Sequence, residues 1–444
     1  MNYLKMSQYP YHFGFKTRIY PNHQQKQIIA LNSQASLKMY NLLLDIDAEV
    51  YQLNQHVIES KTMQIRQKQP HTTSIINHDP NSHYVKQTRC ALTNFKPYLD
   101  RLAYLKPLHN NPSKIAKMHT FFSHPNYDAY VGAYAKKALM QAWHNHYHGF
   151  QRRPKHHEAS DDKYGQRYQT YINPKTTHFV LDENHIRLPK MGRIKCDKIR
   201  DLLLHKNDWA SGTICVQKDA TNHYYIAVQL GSETPFVKTI DNHNRCLGID
   251  LNLDNFATDS NGNVIENPHY FVKQEQRLSR LNQLLSHKRK LATIYNRDLT
   301  HNKDYQQLRQ KRARLSRKIY NQREVFLQKL TTHIIKNHDI IVAEDLQSHH
   351  MLKNHHLAKA ISDVGWRKFL TMMTYKANLY NKTFITVNPK YTTQTCSSCG
   401  YLLKKDQRLT LADRQWDCPN CHVHHIRDVN AAKNILQKGL DTLS

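Results

Sequence analysis

The sequence predicts a multidomain α+β protein. Its expected parts are a mixed α/β domain with an inserted zinc ribbon, a small β-barrel and a helical lobe. Three observations lead to this prediction. Two Cys-x-x-Cys pairs lie near the C-terminus, two apolar runs each end in a carboxylate, and long polar stretches are biased towards helix. At 444 residues the chain is long enough to hold several domains and to bury a sizeable core.

The N-terminal half divides into strand-rich and helix-rich segments. Residues 13–20 alternate apolar and polar side chains as a half-buried strand does, and Pro21 is expected at the first position of the helix that follows. Short apolar runs between residues 178 and 228, separated by turn residues, predict further strands. We expect a wedge-like β-barrel from residues 1–50 and 156–240, with a helical recognition lobe, residues 51–155, inserted between them.

An α/β domain is expected over residues 241–390. The apolar runs at residues 246–250 and 255–258 predict two strands of a meander. Ile340–Glu344 is an uninterrupted apolar run that ends in an acid, which is typical of a strand buried on both faces. A basic helical hairpin over residues 271–336 separates these strands. The zinc ribbon is expected over residues 391–425, and a closing helix in the last segment, 426–444.

Four cysteines near the C-terminus form two pairs separated by eighteen residues: Cys396, Cys399, Cys418 and Cys421. Each pair can place two thiolates on one ion, and two pairs complete a tetrahedral zinc site. Gly400 and Pro419-Asn420 are the expected turn residues of the two knuckles. A disulfide framework is the alternative, but the other four cysteines are scattered and no secretion signal is expected at the N-terminus. Both features indicate a reducing cytosol.

The charge balance is strongly basic. The chain has 64 Lys plus Arg against 35 Asp plus Glu, a formal net charge of +29. Such an excess predicts a polyanionic partner, with nucleic acid first and a membrane surface as the alternative. Because no apolar run approaches transmembrane length and the charge is spread along the chain, we expect nucleic acid, no membrane partner and a cytoplasmic location.

The basic excess is concentrated in the predicted hairpin, where residues 273–329 contain 16 Lys or Arg and 4 Asp or Glu. A solvated helix face usually balances its charges, so the imbalance favours helices that face nucleic acid over a plain solvent-exposed surface. The candidate nucleic-acid contacts are Lys288, Arg289, Lys290, Arg312, Arg314 and Arg317.

Three carboxylates share one structural context. Asp250 and Glu344 each end an apolar strand, and Asp428 opens the closing helix. A single acid in such a place is commonly solvated or caps a helix. In this order, on a meander strand, a later parallel strand and a late helix, the three predict a ribonuclease-H-like site.

Carboxylates supply the hard oxygen ligands that Mg²⁺ prefers, and two ions about 4 Å apart can stabilise both the attacking and the leaving oxygen of a phosphodiester hydrolysis. Asp250 is expected to bridge the two ions, with Glu344 on one and Asp428 on the other. The nearby acids that we expect not to bind metal are Asp254, Asp259 and Asp345; the last directly follows a ligand on a strand and so points to the opposite face.

Four segments resemble the split RuvC motifs and the zinc ribbon of the TnpB (OrfB) family. They are Gly-Ile-Asp-Leu at 248–251, Val-Ala-Glu-Asp-Leu at 342–346, Thr-Gln-Thr-Cys-Ser-Ser-Cys-Gly at 393–400 and Arg-Asp-Val-Asn-Ala-Ala-Lys-Asn-Ile at 427–435. Residues 15–21, 39–41 and 188–192 are also similar to the family. Its members are transposon-encoded RNA-guided nucleases related to compact type V CRISPR effectors. Asn252 and Ile426 depart from the usual pattern.

The resemblance implies an RNA-guided DNA endonuclease. A guide RNA derived from the transposon end would bind the protein, a short motif beside the target would be read on duplex DNA, and the single RuvC site would cut both strands. Asp250, Glu344 and Asp428 match the catalytic acids, which hold two Mg²⁺ (or Mn²⁺) ions, and the four cysteines match the ligands of one structural Zn²⁺. Double-stranded target DNA is the other partner, no obligate protein partner is implied, and the protein would act at the nucleoid.

Other functions stay open on the residues alone. A transposase could use the same acids to join DNA strands, with a 3′ hydroxyl as nucleophile in place of water. A guide-dependent DNA binder without cleavage would have a decayed site, against which the intact acids argue. A zinc-ribbon transcription factor would not need the three acids at all.

Overall fold

The structure, a computed structural model, describes residues 5–68, 96–157, 166–173, 179–199, 201–204, 209–238, 240–252, 254–345, 365–410 and 412–443. It divides into two compact units, Met1–Gln8 with Gly14–Gly231 and Tyr9–Phe13 with Ser232–Ser444. This division is coarser than the six segments expected from the sequence, whose boundaries stay a prediction. Among the described helices none is both long and apolar enough to cross a membrane.

The first unit contains a seven-stranded sheet in the order β2-β6-β7-β1-β5-β4-β3. The strands are β1 (Tyr11–Tyr20), β2 (Arg167–Thr170), β3 (Val180–Asp182), β4 (His185–Leu188), β5 (Gly192–Cys196), β6 (Trp209–Lys218) and β7 (Tyr224–Ser232). As expected, the N-terminal strand β1 joins the later strands. Its antiparallel partner β5 and the edge strand β2, however, were missed from the sequence.

The predicted closed β-barrel is wrong, because the sheet is open. Its two edge strands, β2 and β3, do not pair with each other in the described ranges. They have only four and three residues. A barrel closes only when its edges meet along a shared row of hydrogen bonds, and edges this short offer few groups for such a row.

The helices of the first unit are α1 (His23–Lys68), α2 (Lys96–Asn110), α3 (Pro112–Lys117), α4 (Ala129–Tyr147) and the short α5 (Asp201–Leu204). The polar sequence of the lobe also predicts breaks near residues 71–78 and 110–113. The second is confirmed between α2 and α3, whereas the first lies outside the described residues. α1 begins at His23 and not at Pro21. Asn22 and Gln25 form a reciprocal capping box: Asn22 Oδ1 accepts from Gln25 N (2.9 Å), and Gln25 Oε1 accepts from Asn22 N (3.0 Å). This cap places Pro21 before the helix.

The second unit is built on a five-stranded sheet in the order β10-β9-β8-β11-β12. Its strands are β8 (Cys246–Leu251), β9 (Ala257–Asp259), β10 (Val264–Ile265), β11 (Ile340–Glu344) and β12 (Thr383–Val387). β8, β9 and β10 form an antiparallel meander, while β11 runs parallel to both β8 and β12. The predicted ribonuclease-H-like arrangement is therefore confirmed.

The helices of this unit are α6 (Glu275–Ile294) and α7 (Lys303–Asn337), which form the hairpin, α8 (Trp366–Tyr380) and α9 (Arg427–Leu443). Of these, α7, α8 and α9 cover the two faces of the sheet. Ile341 and Ala343 of β11 pack in the core formed with α7 and α8, whereas Val342 packs against Ile435 of α9. This alternation places the odd-numbered side chains of β11 on one face and Val342 on the α9 face.

Two glycines allow α9 to lie directly on the strands. A Cβ atom on Gly248 of β8 would overlap with the carbonyl oxygen of Ala432 and lie 2.8 Å from Leu436 Cβ. A Cβ atom on Gly439 would lie 3.0 Å from Val342 Cβ. Any larger residue at either place would push the helix away, so these glycines fix the height of α9 above β8 and β11.

Candidate active site and zinc site

Asp250 and Glu344 lie beside each other at the ends of two parallel strands. The pairing of β8 with β11 aligns Ile249 with Ala343, and the two acids are the next residues on each strand. Both acids are 6% exposed. The backbone N–H of Leu251 donates to Glu344 Oε1 (3.2 Å), which fixes the glutamate against β8.

The alternation of side chains directs both acids towards α9. Asp250 lies on the same face of β8 as Gly248, and Glu344 on the same face of β11 as Val342. Both of those residues contact α9. Asp428 lies in the first turn of this helix. The fold therefore brings the three predicted acids to one side of the sheet.

Two arginines flank the third acid. Arg427 Nε donates to Asp428 Oδ1 (3.2 Å), and Arg414 Nη1 lies 4.0 Å from Asp428 Oδ2. Arg414 was missed from the sequence, because it lies fourteen positions before Asp428 and approaches only where the ribbon folds back, with Arg427 N donating to Arg414 O (2.9 Å). Arg427, in contrast, directly precedes Asp428 in the segment 427–435 and could be recognised from the sequence.

Burial changes the ionisation of the strand acids. The pKa of Asp250 lies well above its usual value, chiefly because of burial and also because Glu344 and Asp428 repel its charge; Arg427 and a hydrogen bond with Asn252 oppose the rise. Burial raises the pKa of Glu344 to about 7, against the hydrogen bond from Leu251. A cation bound between such carboxylates would reverse both shifts.

The three acids fit Mg²⁺ by their chemistry, because all offer hard carboxylate oxygens and two of them are crowded together away from water. They do not form a tight cage. In the part of the chain that the structure describes, the four cysteines are the one group of three or more His, Cys, Asp or Glu side chains whose donor atoms all lie within 4.8 Å of one another. An open carboxylate site leaves ligand positions for water and substrate.

The neighbouring acids have other partners. Asp259 closes the β9–β10 turn, where it accepts from Asn263 N and Nδ2 (both 2.8 Å). Asp254 pairs with Arg414. Asp345 is exposed, and its backbone N–H donates to β12. That Asp254, Asp259 and Asp345 do not bind metal stays a prediction.

The four cysteine sulfurs converge on one point. The Sγ atoms of Cys396 and Cys421 are 3.7 Å apart, as are those of Cys399 and Cys418. Four sulfurs placed about 2.3 Å from a zinc ion in a tetrahedron are about 3.8 Å apart. The cluster therefore fits a zinc ion. The described cysteines are free thiols, which disfavours a disulfide framework; Cys90 lies outside the described residues.

Each knuckle is a tight turn closed by a backbone hydrogen bond. Gly400 N donates to Cys396 O (2.9 Å) and Gly400 has φ +74°; His422 N donates to Cys418 O (2.8 Å) and His422 has φ +58°. Pro419 and Asn420 lie inside the second turn, as expected, and His422 takes the left-handed conformation at its end. Asn420 also donates through Nδ2 to a sulfur of the first pair (3.5 Å).

The crowded thiols do not ionise alike. Hydrogen bonds from the Asn420 amide and the Tyr401 backbone lower the pKa of Cys399 to about 6. Although the Val423 backbone N–H opposes it, burial together with the neighbouring thiols raises the pKa of Cys421 to about 12. Four thiolates this close need a central cation, which supports the zinc assignment.

Two buried asparagines of α9 join the first knuckle to the helix that carries Asp428. Asn430 Oδ1 accepts from Ser397 N (2.8 Å), and Asn430 Nδ2 donates to Thr395 O (2.8 Å). Asn434, one turn later, also donates to Thr395 O (2.6 Å). The zinc site and the third acid are thus mechanically linked.

The six candidate basic contacts of the hairpin divide into two groups. Three of them hold the hairpin together: Arg289 Nε donates to Tyr305 OH (2.8 Å), Arg312 Nε donates to Asn282 Oδ1 (2.9 Å), and Lys288 Nζ lies 3.8 Å from a carboxylate of α7. Lys290 and Arg314 are exposed. Arg317 is half-buried and lies over the ring of Tyr320 at 5.4 Å.

Three family models match the chain, one after another. The OrfB model described as "Helix-turn-helix domain" matches residues 11–56, the OrfB model described as "Probable transposase" matches residues 225–355, and the model "Cas12f1-like, TNB domain" matches residues 366–435. In this chain, residues 11–56 form β1 and most of α1. The TNB match contains the zinc cluster and Asp428.

Similar proteins share part of the chain. A Streptomyces pristinaespiralis protein named "Putative RNA-guided DNA endonuclease" is 32% identical over 230 residues, 51% of this chain and 53% of that protein. The Escherichia coli K12 protein "Putative RNA-guided DNA endonuclease InsQ" is 29% identical over 284 residues, 60% of this chain and 65% of its own length. The chain thus spans between half and two thirds of these relatives. The cryo-EM structure of a Cas12f1–sgRNA–target DNA complex covers 96% of this chain and 98% of its own at 13% identity, with a TM-score of 0.47.

Proposed function

Because this chain belongs to the OrfB family of TnpB-like proteins, we propose that it is an RNA-guided DNA endonuclease. It would hydrolyse phosphodiester bonds of target double-stranded DNA beside a short adjacent motif, with a guide RNA from the transposon end selecting the target. The observation that carries the proposal is the alignment of Asp250 and Glu344 on parallel strands beneath the helix that carries Asp428. The names of the relatives support the dependence on RNA.

Asp250, Glu344 and Asp428 would hold the catalytic Mg²⁺ or Mn²⁺ ions, two in the proposed arrangement. Bound ions of this kind supply an activated water and stabilise the charge on the leaving oxygen. The residues of the chain prepare the site: burial removes the strand acids from bulk water, and the Leu251 N–H holds the Glu344 carboxylate in position. Arg427 and Arg414 keep the Asp428 carboxylate oriented.

The four cysteines would hold one structural Zn²⁺. Its ribbon supports the active site through Asn430 and Asn434, whose amides bind the first knuckle. The basic hairpin would contribute to the binding of nucleic acid, where phosphates replace counterions around Lys and Arg. The protein would act in the cytoplasm, on the DNA of the nucleoid.

The first test is a cleavage assay with the protein–RNA complex and a matching duplex. Asp250→Ala, Glu344→Ala and Asp428→Ala should each abolish cleavage and leave RNA and DNA binding largely intact, because each removes a carboxylate and no basic contact. Asp345→Ala is the matched control, since this acid is exposed next to Glu344, and it should cut normally. If any one of the three site variants cut at close to the wild-type rate, the role assigned to that residue would be wrong.

Replacement of the guide segment in the bound RNA separates the remaining alternatives. For an RNA-guided nuclease, the new guide should direct cutting to a new matching DNA. Joined strands in place of cut ends would show a transposase. Guide-dependent DNA binding by the wild-type protein without any cut product in Mg²⁺ or Mn²⁺ would show a binder.

A further inference from the structure

The end of α4 and the turn that follows it carry an exposed aromatic surface. Tyr147 and Phe150 are 76% and 78% exposed, the highest values of any large hydrophobic side chain in the described ranges. Trp143 lies one helical turn before Tyr147, and His148 directly follows the helix. Two large rings this exposed, three residues apart in the chain, typically mark a surface that binds another molecule.

This surface is rigid. The Tyr147 ring stacks on Trp143 with centroids 5.7 Å apart and an interplanar angle of 20°, and the Phe150 ring stacks on His148 at 6.1 Å and 25°. Phe150 N and Gln151 Nε2 both donate to backbone carbonyls of α4 at 2.8 Å, which closes the turn over the end of the helix. Rings that are already ordered lose little conformational entropy when a ligand binds.

The surroundings are cationic. Residues 129–157 contain five Lys or Arg, five His and no Asp or Glu. Two acids of α1 face this segment: Asp47 accepts from Trp143 Nε1 (2.8 Å), and Asp45 lies 2.7 Å from His156 Nε2. The basic residues outnumber them. The Arg153 guanidinium lies over the ring of Trp143 (5.6 Å) and over the ring of Tyr51 (5.9 Å), and Arg152 is exposed beside it. A partner must therefore combine flat apolar faces with negative charge, which is the combination that unpaired nucleotides present.

We propose that this surface binds unpaired nucleotides of the RNA partner, with Tyr147 and Phe150 stacked on bases and Arg152 near the phosphates. The preference for RNA follows from His144 and His148, which are exposed with ring centroids 4.2 Å apart. Imidazole ring nitrogens can form hydrogen bonds with a ribose 2′-hydroxyl, a group that DNA lacks. The inference rests on the proposed function only for the presence of an RNA partner.

The test measures binding of fluorescent single-stranded oligouridine RNA to the full-length, RNA-free protein over a range of salt concentrations. Tyr147→Ala with Phe150→Ala should weaken binding about tenfold or more, since stacking of each base contributes substantially to affinity. The slope of log Kd against log salt should stay unchanged, because no phosphate contact is lost. Arg152→Gln should instead lower that slope by about one unit.

Matched variants distinguish stacking from a general defect. Tyr147→Phe with Phe150→Tyr keeps both rings and should keep wild-type affinity. Met140→Ala removes another exposed apolar side chain of α4 and should also bind normally. An oligomer of the same length without bases should bind equally to the wild-type and the double-alanine protein.

Two results would overturn the inference. If the double-alanine variant bound oligouridine with wild-type affinity, the two rings would not be a binding surface for bases. If the variant lost equal affinity for oligothymidine DNA, the surface would have no preference for RNA. The assay measures affinity for oligouridine and not cleavage, so failure of the nuclease proposal and failure of this one give different results.

Discussion

Glu344 is the residue whose ionisation gives the clearest measurable consequence. Burial raises its pKa to about 7 from the usual value of 4.5. Between these pH values the folded protein holds a proton that the unfolded chain has released, so the free energy of unfolding falls as the pH rises from about 4.5 to about 7. In magnesium-free buffer we expect a loss of about 1.4 kcal/mol for each unit of difference in pKa, measured as the urea midpoint against pH.

Glu344→Gln provides the control for this pH dependence. The amide cannot ionise, so the variant should lose less stability over the same pH range. Added Mg²⁺ should restore the wild-type protein at higher pH, because it binds the ionised carboxylates. Magnesium is left out rather than chelated, since a chelator would also attack the zinc site. Equal pH profiles for the wild type and the variant would contradict the assignment.

The zinc cluster gives a second prediction at the level of single residues. Cys396→Ser removes one of four converging thiols and should lose the zinc ion and unfold the ribbon, because structural zinc contributes directly to folding. Elemental analysis should find one zinc per wild-type chain and close to none in the variant. Cys246→Ser, which changes a half-buried thiol outside the ribbon, should keep its zinc. Wild-type protein purified without chelator and free of zinc would contradict the assignment.

Among the elements, α9 connects the ribbon to the active site. Asn430→Ala with Asn434→Ala removes the buried amides that bind the first knuckle, so we expect a loss of about 1–3 kcal/mol for each unsatisfied buried group. The zinc content should stay at one, because no sulfur ligand changes. The Mg²⁺ concentration for half-maximal cleavage should rise several-fold, because the first knuckle no longer anchors the N-terminal part of α9, which carries Asp428.

Gln437→Ala is the matched control for this pair. Its amide donates to Asp441 on the exposed side of the same helix and does not touch the ribbon. This variant should keep the wild-type response to Mg²⁺. A double-asparagine variant that lost stability without any change in its Mg²⁺ response would show that the two amides stabilise the fold and do not position Asp428.

The same elements show how far the sequence could lead. β11 was predicted with its observed bounds, because a strand buried on both faces is apolar at every position, and Asp428 was placed at the start of α9. The open sheet of the first unit was not predicted. Whether β2 and β3 meet depends on pairing between distant segments, which leaves no local pattern in either strand. Arg414 reaches Asp428 only through the fold of the ribbon, so its position also required the structure.

The whole molecule carries a formal charge of +29, and its distribution matters more than its sum. Some basic side chains hold the protein together. Arg289 and Arg312, for example, donate hydrogen bonds between the two arms of the hairpin. Lys290 and Arg314 are exposed as well, but within the described residues they take part in no hydrogen bond or ion pair. Only the second kind is fully available to displace counterions from a nucleic acid, so the two kinds should respond differently to neutralisation.

Lys290→Gln with Arg314→Gln should therefore weaken RNA binding and lower the slope of log Kd against log salt by roughly one unit per lost phosphate contact, without a change in thermal stability. Arg289→Gln with Arg312→Gln carries the same change in charge but also removes two hydrogen bonds between the arms of the hairpin. That variant should lower the melting temperature in addition to any effect on binding. Because both variants have the same net charge, a non-specific effect of charge would shift their salt slopes equally and leave their stabilities alike. An unchanged slope for the Lys290 and Arg314 pair would mean that this part of the hairpin is a solvated surface, and that RNA contacts lie elsewhere on the protein.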